Sequence, residues 1–241
     1  MPVALVTGAS RGFGRALAAE LAARGWSLVV NAREGTALHA AASTLPAHAV
    51  VALEGDVTCA VHRAELVAAA EGLGGLDLLC NNASELGPSP LPTLADLADD
   101  DLALVLDTNV LAPLALVHLA LPELVRRRRL GADGEPTGTI VNMSSDAAAE
   151  AYPGWGAYGS SKAALDHASR VLTLERPDLR VYAFDPGDMR TDMHQRAFPG
   201  QDISDRPEPE SVVPALMRLL AEAPPSGRYR ASDLLARAVG A

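Results

Sequence analysis

Cysteine is nearly missing. Two residues, Cys59 and Cys80, stand in a chain of 241, too few for a disulfide framework, and neither belongs to a Cys-x-x-Cys pair or lies beside clustered histidines. That excludes a disulfide-stapled fold, leaves no candidate metal-ligand set and fits a reduced cytoplasmic setting. An excess of basic charge is missing as well. Acidic side chains number 30 against 20 basic ones, a formal charge of −10, the wrong sign for a surface that neutralises nucleic-acid phosphates. No basic, signal-like leader precedes Pro2-Val3-Ala4-Leu5-Val6, so no export signal is expected. The longest apolar stretch, 102–125, is interrupted by Asp107, Asn109, Pro113, His118 and Glu123, which argues against a membrane span and for a buried helix facing a partner. Internal repeats, low-complexity linkers and composition shifts are absent too. With 49% hydrophobic and 21% charged residues the chain can bury a large core, and one domain over 1–241 is expected.

What is present is an alternation. Short runs rich in branched residues at 3–6, 28–30, 50–53, 76–79, 139–142 and 181–184 read as buried strands. Between them lie Ala/Leu/Arg-rich stretches of helical period at 15–24, 37–44, 61–71, 102–128 and 158–174. This order predicts an α/β fold, a doubly wound parallel sheet with helices on both faces and right-handed crossovers. Residues 131–138 read as a surface loop. The arginine run 126–129 reads as a solvated helix end, where cations suit the macrodipole. Residues 186–209, rich in Pro, Asp and Arg, follow the sixth strand, where open sheets place their ligand crevice, and read as a substrate lid.

Directly after the first strand stands Thr7-Gly8-Ala9-Ser10-Arg11-Gly12-Phe13-Gly14, and a helical pattern follows at once. Gly8 lets the chain turn off the strand, and Gly12 and Gly14 let backbone approach a pyrophosphate at the positive end of the helix. The second strand then argues which dinucleotide. An acidic residue at its end would accept from the ribose hydroxyls of NAD and repel a 2′-phosphate. This chain has Asn31-Ala32-Arg33 there; Arg33, with Arg11, can clamp that phosphate, so NADP(H) is expected over NAD(H).

Tyr158 and Lys162 are four residues apart on an expected helix and share one face. A free phenol ionises near ~10; a neighbouring ammonium favours the phenolate and suits it to general acid–base work. Taken alone the pair is common. Ser144 and Ser145 add hydroxyls at the end of the fifth strand, in Asn142-Met143-Ser144-Ser145, of which Ser144 can satisfy local backbone groups. Pro113 follows Asn109 by four positions, and its ring clashes with the carbonyl of Asn109 in a regular helix, so the helix is expected to loosen there.

The T-G-x-x-x-G-x-G spacing, with Gly55-Asp56-Val57, Asn81-Asn82-Ala83, Asn109, Ser145, Tyr158-x-x-x-Lys162 and Pro186-Gly187 in that order, resembles the short-chain dehydrogenase/reductase family over residues 3–193. The resemblance implies a Rossmann-type sheet of about seven strands in the order 3-2-1-4-5-6-7. It implies a catalytic set of Asn109, Ser145, Tyr158 and Lys162. Ser145 would bind the substrate oxygen, Lys162 the nicotinamide ribose, and Asn109 a water leading to Lys162. Cofactor contacts would come from Gly8, Ser10, Arg11, Gly12, Phe13 and Gly14, from Ala32 and Arg33, and from Asp56 and Val57 at the adenine. Asn82 and Ala83 would line the adenosine side, with Ser84 near the nicotinamide in place of the usual glycine, and Pro186, Gly187, Met189 and Thr191 would face the carboxamide.

Within the family the motifs are most similar to sepiapterin-reductase-like members. Their acidic pterin-holding residue matches Ala231, with Asp233 offset, so no pterin substrate is implied. Tyr152, Trp155, Met189, Met193, His194 and Phe198 are candidate pocket residues. The ending Ser226-Gly227-Arg228-Tyr229-Arg230 departs from the family's glycine-rich tail and predicts a short seventh strand. A homodimer through 111–124 and the Tyr158 helix is expected, with a tetramer as the alternative. The implied activity is NADP(H)-dependent interconversion of a ketone or aldehyde and its alcohol. Two readings stay open beside it: a nucleotide-sensing protein without turnover, and an epimerase or dehydratase that retains its nicotinamide.

Overall fold

Strand residues here send alternate side chains to two opposite faces, and both faces are apolar. In the computed structural model, which describes residues 1–126 and 138–239, Ala4 and Val6 of β1 (Val3–Thr7) enter one core while Val3 and Leu5 enter the other. That burial on both sides is why the runs read as continuous Val and Leu. The first core is closed by α1 (Gly12–Ala23), α2 (Gly35–Ala42), α8 (Pro209–Glu222) and α9 (Ala231–Val239). The second is closed by α3 (Ala60–Gly72) and α5 (Ala112–Arg126), with α6 (Gly156–Glu175) lying on the same strands.

The remaining strands are β2 (Ser27–Ala32), β3 (Val50–Glu54), β4 (Leu78–Asn81), β5 (Gly138–Met143), β6 (Leu179–Asp185) and β7 (Gly227–Arg230). All pairings are parallel, in the order β3-β2-β1-β4-β5-β6-β7. The expected order is therefore met. The order reverses between β1 and β4, so the loops leaving their carboxyl ends diverge and open a crevice between them.

Several boundaries differ from the sequence reading for local reasons. β4 starts at Leu78, not residue 76, because Gly74 and Gly75 turn the chain at φ +104° and +116° and the Asp77 carboxylate takes the Val3 N–H at 2.7 Å in place of a ladder bond. The helix expected over 102–128 is three pieces: α4 (Asp99–Leu106), a π-helical turn at Asp107–Leu111, and α5. The wide turn sits where Pro113 was expected to loosen the helix, and it relieves that clash by adding a residue to the turn. By length and composition the Asp99–Val125 span could cross a bilayer; here Leu116, Val117, Ala120 and Leu124 pack into the second core. Residues 186–209 are not wholly irregular, since α7 (Asp192–Ala197) lies inside them. The loop expected at 131–138 lies outside the described residues except for Gly138, which opens β5, and of the arginine run 126–129 only Arg126 is described.

Candidate active site

The crevice begins with backbone. Gly8 leaves β1 at φ +68° and Gly12 opens α1 at φ +54°, both in the left-handed region that suits glycine. α1 has no side-chain cap and no acidic residue in its first turn, so its first N–H groups and the positive end of its dipole face an anion site. Thr7 and Asn82 fasten the loop. The Thr7 hydroxyl accepts from Asn82 N and Ala83 N at 3.0 Å each, and Asn82 Nδ2 donates to the Thr7 and Gly8 carbonyls at 2.8 and 3.1 Å. Gly14 does not line the crevice. A Cβ there would stand 2.4 Å from the Gly8 carbonyl oxygen, so this glycine permits close packing of helix on loop, a correction to its expected contact with the pyrophosphate.

The resulting cleft, about 540 Å³, runs from Ala32, Arg33, Asp56 and Val57 past Ser10, Arg11, Phe13, Ala83 and Ser84 to Tyr158, Lys162, Pro186, Met189 and Thr191. Gly187, at φ +71°, turns the chain off β6 behind that wall. The two arginines expected at a 2′-phosphate both line the cleft, but each already holds a carboxylate: Arg33 bonds Glu85 at 3.1 Å and Arg11 bonds Asp192 at 3.3 Å. Asp56 Oδ1 accepts from Thr58 N and Oγ1, which shapes the turn at that end of the cleft.

At the other end the topology gathers the chemical groups. Lys162 is 2% exposed, and its Nζ donates to the Met143 carbonyl at 2.8 Å. Burial lowers its pKa to about 8, with Asp166 opposing. Tyr158 lies one turn earlier. The expected lowering of its pKa does not occur in this structure: burial pushes the phenol up to about 12, the Ser84 and Ser145 hydroxyls act to lower it, and Asp185 and Asp146 act to raise it. Lys162 Nζ stands over the ring, 5.4 Å from its centroid, with one of its N–H groups on the Met143 carbonyl, and burial of the phenol outweighs what it contributes. Ser145 caps a 3-10 turn at Asp146–Ala148; its Oγ donates to Asp146 Oδ1 at 2.9 Å and accepts from Ala147 N. Ser144, expected to serve backbone groups, reaches the Ser145 carbonyl at 3.5 Å and, more closely, donates to Asp166 Oδ2 at 2.8 Å.

Asn109 is wholly buried in the π turn. Its Oδ1 accepts from Glu85 N at 2.7 Å and from the Ser84 hydroxyl at 3.1 Å, and its Nδ2 donates to the Glu85 carbonyl and Ser161 Oγ. One side chain thus joins the segment after β4 to α6.

A family model for short chain dehydrogenases matches residues 2–202. The chain belongs to the short-chain dehydrogenase family. It is 35% identical to sepiapterin reductase of Xenopus laevis over 204 residues, 80% of this chain and 75% of the relative. It is 34% identical to serine 3-dehydrogenase of Agrobacterium fabrum, covering 78% and 72% of the two chains. Among solved structures, a short chain dehydrogenase from Pseudomonas syringae superposes with a TM-score of 0.83 at 32% identity, covering 95% and 93% of the chains. An alcohol dehydrogenase from Thermococcus sibiricus complexed with 5-hydroxy-NADP does so at 0.80 and 26%, covering 95% of each.

For this short-chain dehydrogenase the structure also brings in residues that motif reading passed over. Asn31 Nδ2 meets the Gly55 carbonyl and His62 Nε2 at 2.9 and 2.7 Å, tying the ends of β2 and β3. Asn81 and Asn142 bond each other across β4 and β5, and Asn142 reaches Ser169 on α6. Glu85 is buried and takes Arg33 and Arg196, linking the cofactor end to α7. For Asn31, Asn81 and Asn142 the only signal in sequence was a polar residue inside an apolar run, and Glu85 had none. Among the candidate pocket residues, Trp155 packs on Tyr158 and Phe198, and Phe198 on His194; Met189 and Met193 line the cleft, and Tyr152 bonds Asp146 and Glu150 at the surface.

Proposed function

We propose that the protein is an NADP(H)-dependent oxidoreductase that interconverts a ketone or aldehyde and its alcohol. The observation that carries this reading is that Tyr158 and Lys162 line one end of a cleft, with the Ser145 hydroxyl against the phenol, and that its other end is a glycine loop and an uncapped helix start. The residues present fit a dinucleotide: the loop's left-handed glycines and free N–H groups suit the diphosphate. NADP is favoured because both arginine side chains at the cleft are exposed, Arg33 at 54% and Arg11 at 65%. The Arg11–Asp192 pair, exposed at both partners, is worth roughly 0–1 kcal/mol, so Arg11 is free to exchange its carboxylate for a 2′-phosphate, while the buried Glu85 beside Arg33 keeps Arg196 as a second partner. Glu34 also lines the cleft one residue beyond Arg33, and comparing NADPH with NADH tests the balance.

NADPH supplies the hydride when bound. Ser145 and Tyr158 hydrogen-bond the substrate oxygen, and Tyr158 hands it the phenolic proton. A phenol held neutral by burial is already in the form that donates. Lys162 sits with a pKa of about 8, close enough to neutrality to pass a proton back toward the phenol, and the Asn109 carbonyl in the π turn would anchor the water that resupplies it. Residues 186–209, with α7 packed through Phe198 on Trp155, act as the lid of a single-domain enzyme. Leu111 and Leu119 beside Val171 and Leu174 are exposed on the faces expected to form a homodimer.

A sensor without turnover has no use for a buried phenol and lysine, and the set is intact. The test is a panel of ketones and aldehydes with NADPH or NADH. Steady oxidation of NADPH with at least one carbonyl, lost in Tyr158→Phe, supports the reading; no oxidation with any of them, while NADPH binds, overturns it.

A further inference from the structure

The unusual tail reaches the site. Arg228 of β7 pairs in register with Ala183 of β6, and its neighbour Tyr229 turns the other way to pack on Tyr182. Strand alternation therefore aims Arg228 toward α6. Its guanidinium makes three bonds: to the Ser145 carbonyl at 2.8 Å, to Asp185 Oδ2 at 2.8 Å and to Asp166 Oδ2 at 3.0 Å. Asp166 also holds Ser144, and Asp185 Oδ1 accepts from Gly187 N at 3.0 Å. The loop after β5, the turn after β6 and the lysine helix thus meet on one side chain.

We propose that Arg228 is a positioning residue of this site, fastening the backbone of Ser145 and compensating the two carboxylates that flank the Tyr158–Lys162 pair. The proposal rests on the reading of Ser145, Tyr158 and Lys162 as the reacting set. Three acceptors in three directions need the planar fork of arginine; an ammonium carries the charge without that geometry. The charged and titratable groups facing the pair are Asp166 on α6, Asp146 after β5, Asp185 at the end of β6, and Arg228 itself. Arg230 is a looser companion, 3.8 Å from Asp185 and 3.7 Å from Glu150. Asp166 and Asp185 are nearly buried, so their charge is poorly screened by water, and a guanidinium in direct contact is the strongest available compensation.

A property of the chain makes this directly measurable: of its 20 Lys and Arg residues, Lys162 is the one lysine. Lysine labelled with carbon-13 at Cε gives one side-chain NMR signal in the parent and the methionine variants and a second in Arg228→Lys, where the Lys162 signal is assigned by its absence from a doubly substituted Arg228→Lys, Lys162→Met protein. The Lys162 titration reports on this site with no need for turnover. The full-length parent, Arg228→Met, Arg228→Lys and the control Arg230→Met are compared. In Arg228→Met the Lys162 midpoint should rise by about one unit, because Asp166 then acts unopposed; in Arg228→Lys it should stay within about half a unit of the parent. Both Arg228 variants should lose about tenfold in kcat with NADPH affinity within about twofold, since the serine's tether is gone in both, while Arg230→Met should change each by less than about twofold.

An Arg228→Met protein with parental titration and parental kcat overturns the proposal. So does a loss of kcat no larger than the loss of folded, NADPH-binding protein, which would mark Arg228 as structural support only. If Arg228→Met fails to fold, Arg228→Lys decides, and an unchanged kcat there overturns the tether. If the parent oxidises NADPH with no carbonyl, the carbonyl-reductase reading fails by itself, and the Lys162 midpoint still decides the electrostatic role of Arg228.

Discussion

The two ends of the cleft are built from different materials. The dinucleotide end is organised by backbone geometry and neutral side chains: Gly8 and Gly12 in left-handed conformations, Thr7 and Asn82 bonding the loop, Asn31 bonding the ends of two strands. Its charges, Arg11 and Arg33, are exposed. The chemical end is organised by ionisable groups, the buried Lys162, Asp166 and Asp185 and the half-buried Tyr158, compensated by Arg228. The difference teaches where each end is vulnerable. A substitution at the first disturbs packing or affinity, whereas a substitution at the second changes protonation.

Four substitutions break or sharpen that contrast. The largest effect belongs to Tyr158→Phe, which should lower kcat by about 10²–10⁴-fold, the usual worth of a general acid, with NADPH binding by fluorescence unchanged within about twofold. Next is Lys162→Met. Burial lowers the Lys162 pKa from the usual 10.5 to about 8, so the unfolded chain binds the extra proton between those values. The penalty is therefore full below about 8 and is relieved as pH rises toward 10.5. The variant should be more stable than the parent by about 2–3 kcal/mol at neutral pH, and the gap should close in alkaline urea titrations.

At the other end, Gly14→Ala forces a methyl group against the Gly8 carbonyl. It should cost about 1–3 kcal/mol of stability in urea and weaken NADPH binding without moving the pH dependence of kcat. The smallest effect is Arg33→Ala, which should raise the KM for NADPH about tenfold, the worth of a charge-assisted bond, and leave that for NADH unchanged. An Arg33→Ala enzyme whose two KM values shift together would show that the arginine serves the adenine and not the phosphate.

Much of this was readable in the chain. The first six strands were marked by branched apolar runs, because a strand buried on both faces must be apolar throughout. Gly8, Tyr158 and Lys162 were marked by spacing, because a turn or a helix repeat imposes fixed intervals, and Ser145 by the family resemblance. The weak places follow the same logic. The start of α1 at Gly12 was hidden because glycines carry no periodicity, and β4 was displaced because an Asp77 side chain replaces a ladder bond.

Residue order by itself determined the layered α/β architecture, the crevice between β1 and β4 and the presence of a phenol, an amine and a hydroxyl near it, since each follows from local periodicity and chain direction. Only the tertiary structure decided the charge each group holds. The protonation of Lys162 and Tyr158 depends on burial and on Asp166, Asp185 and Asp146. Arg228, 62 positions from Asp166 and 83 from Ser145, meets them only because β7 lies beside β6. Electrostatic energy depends on distance through space, and no interval along the chain encodes it.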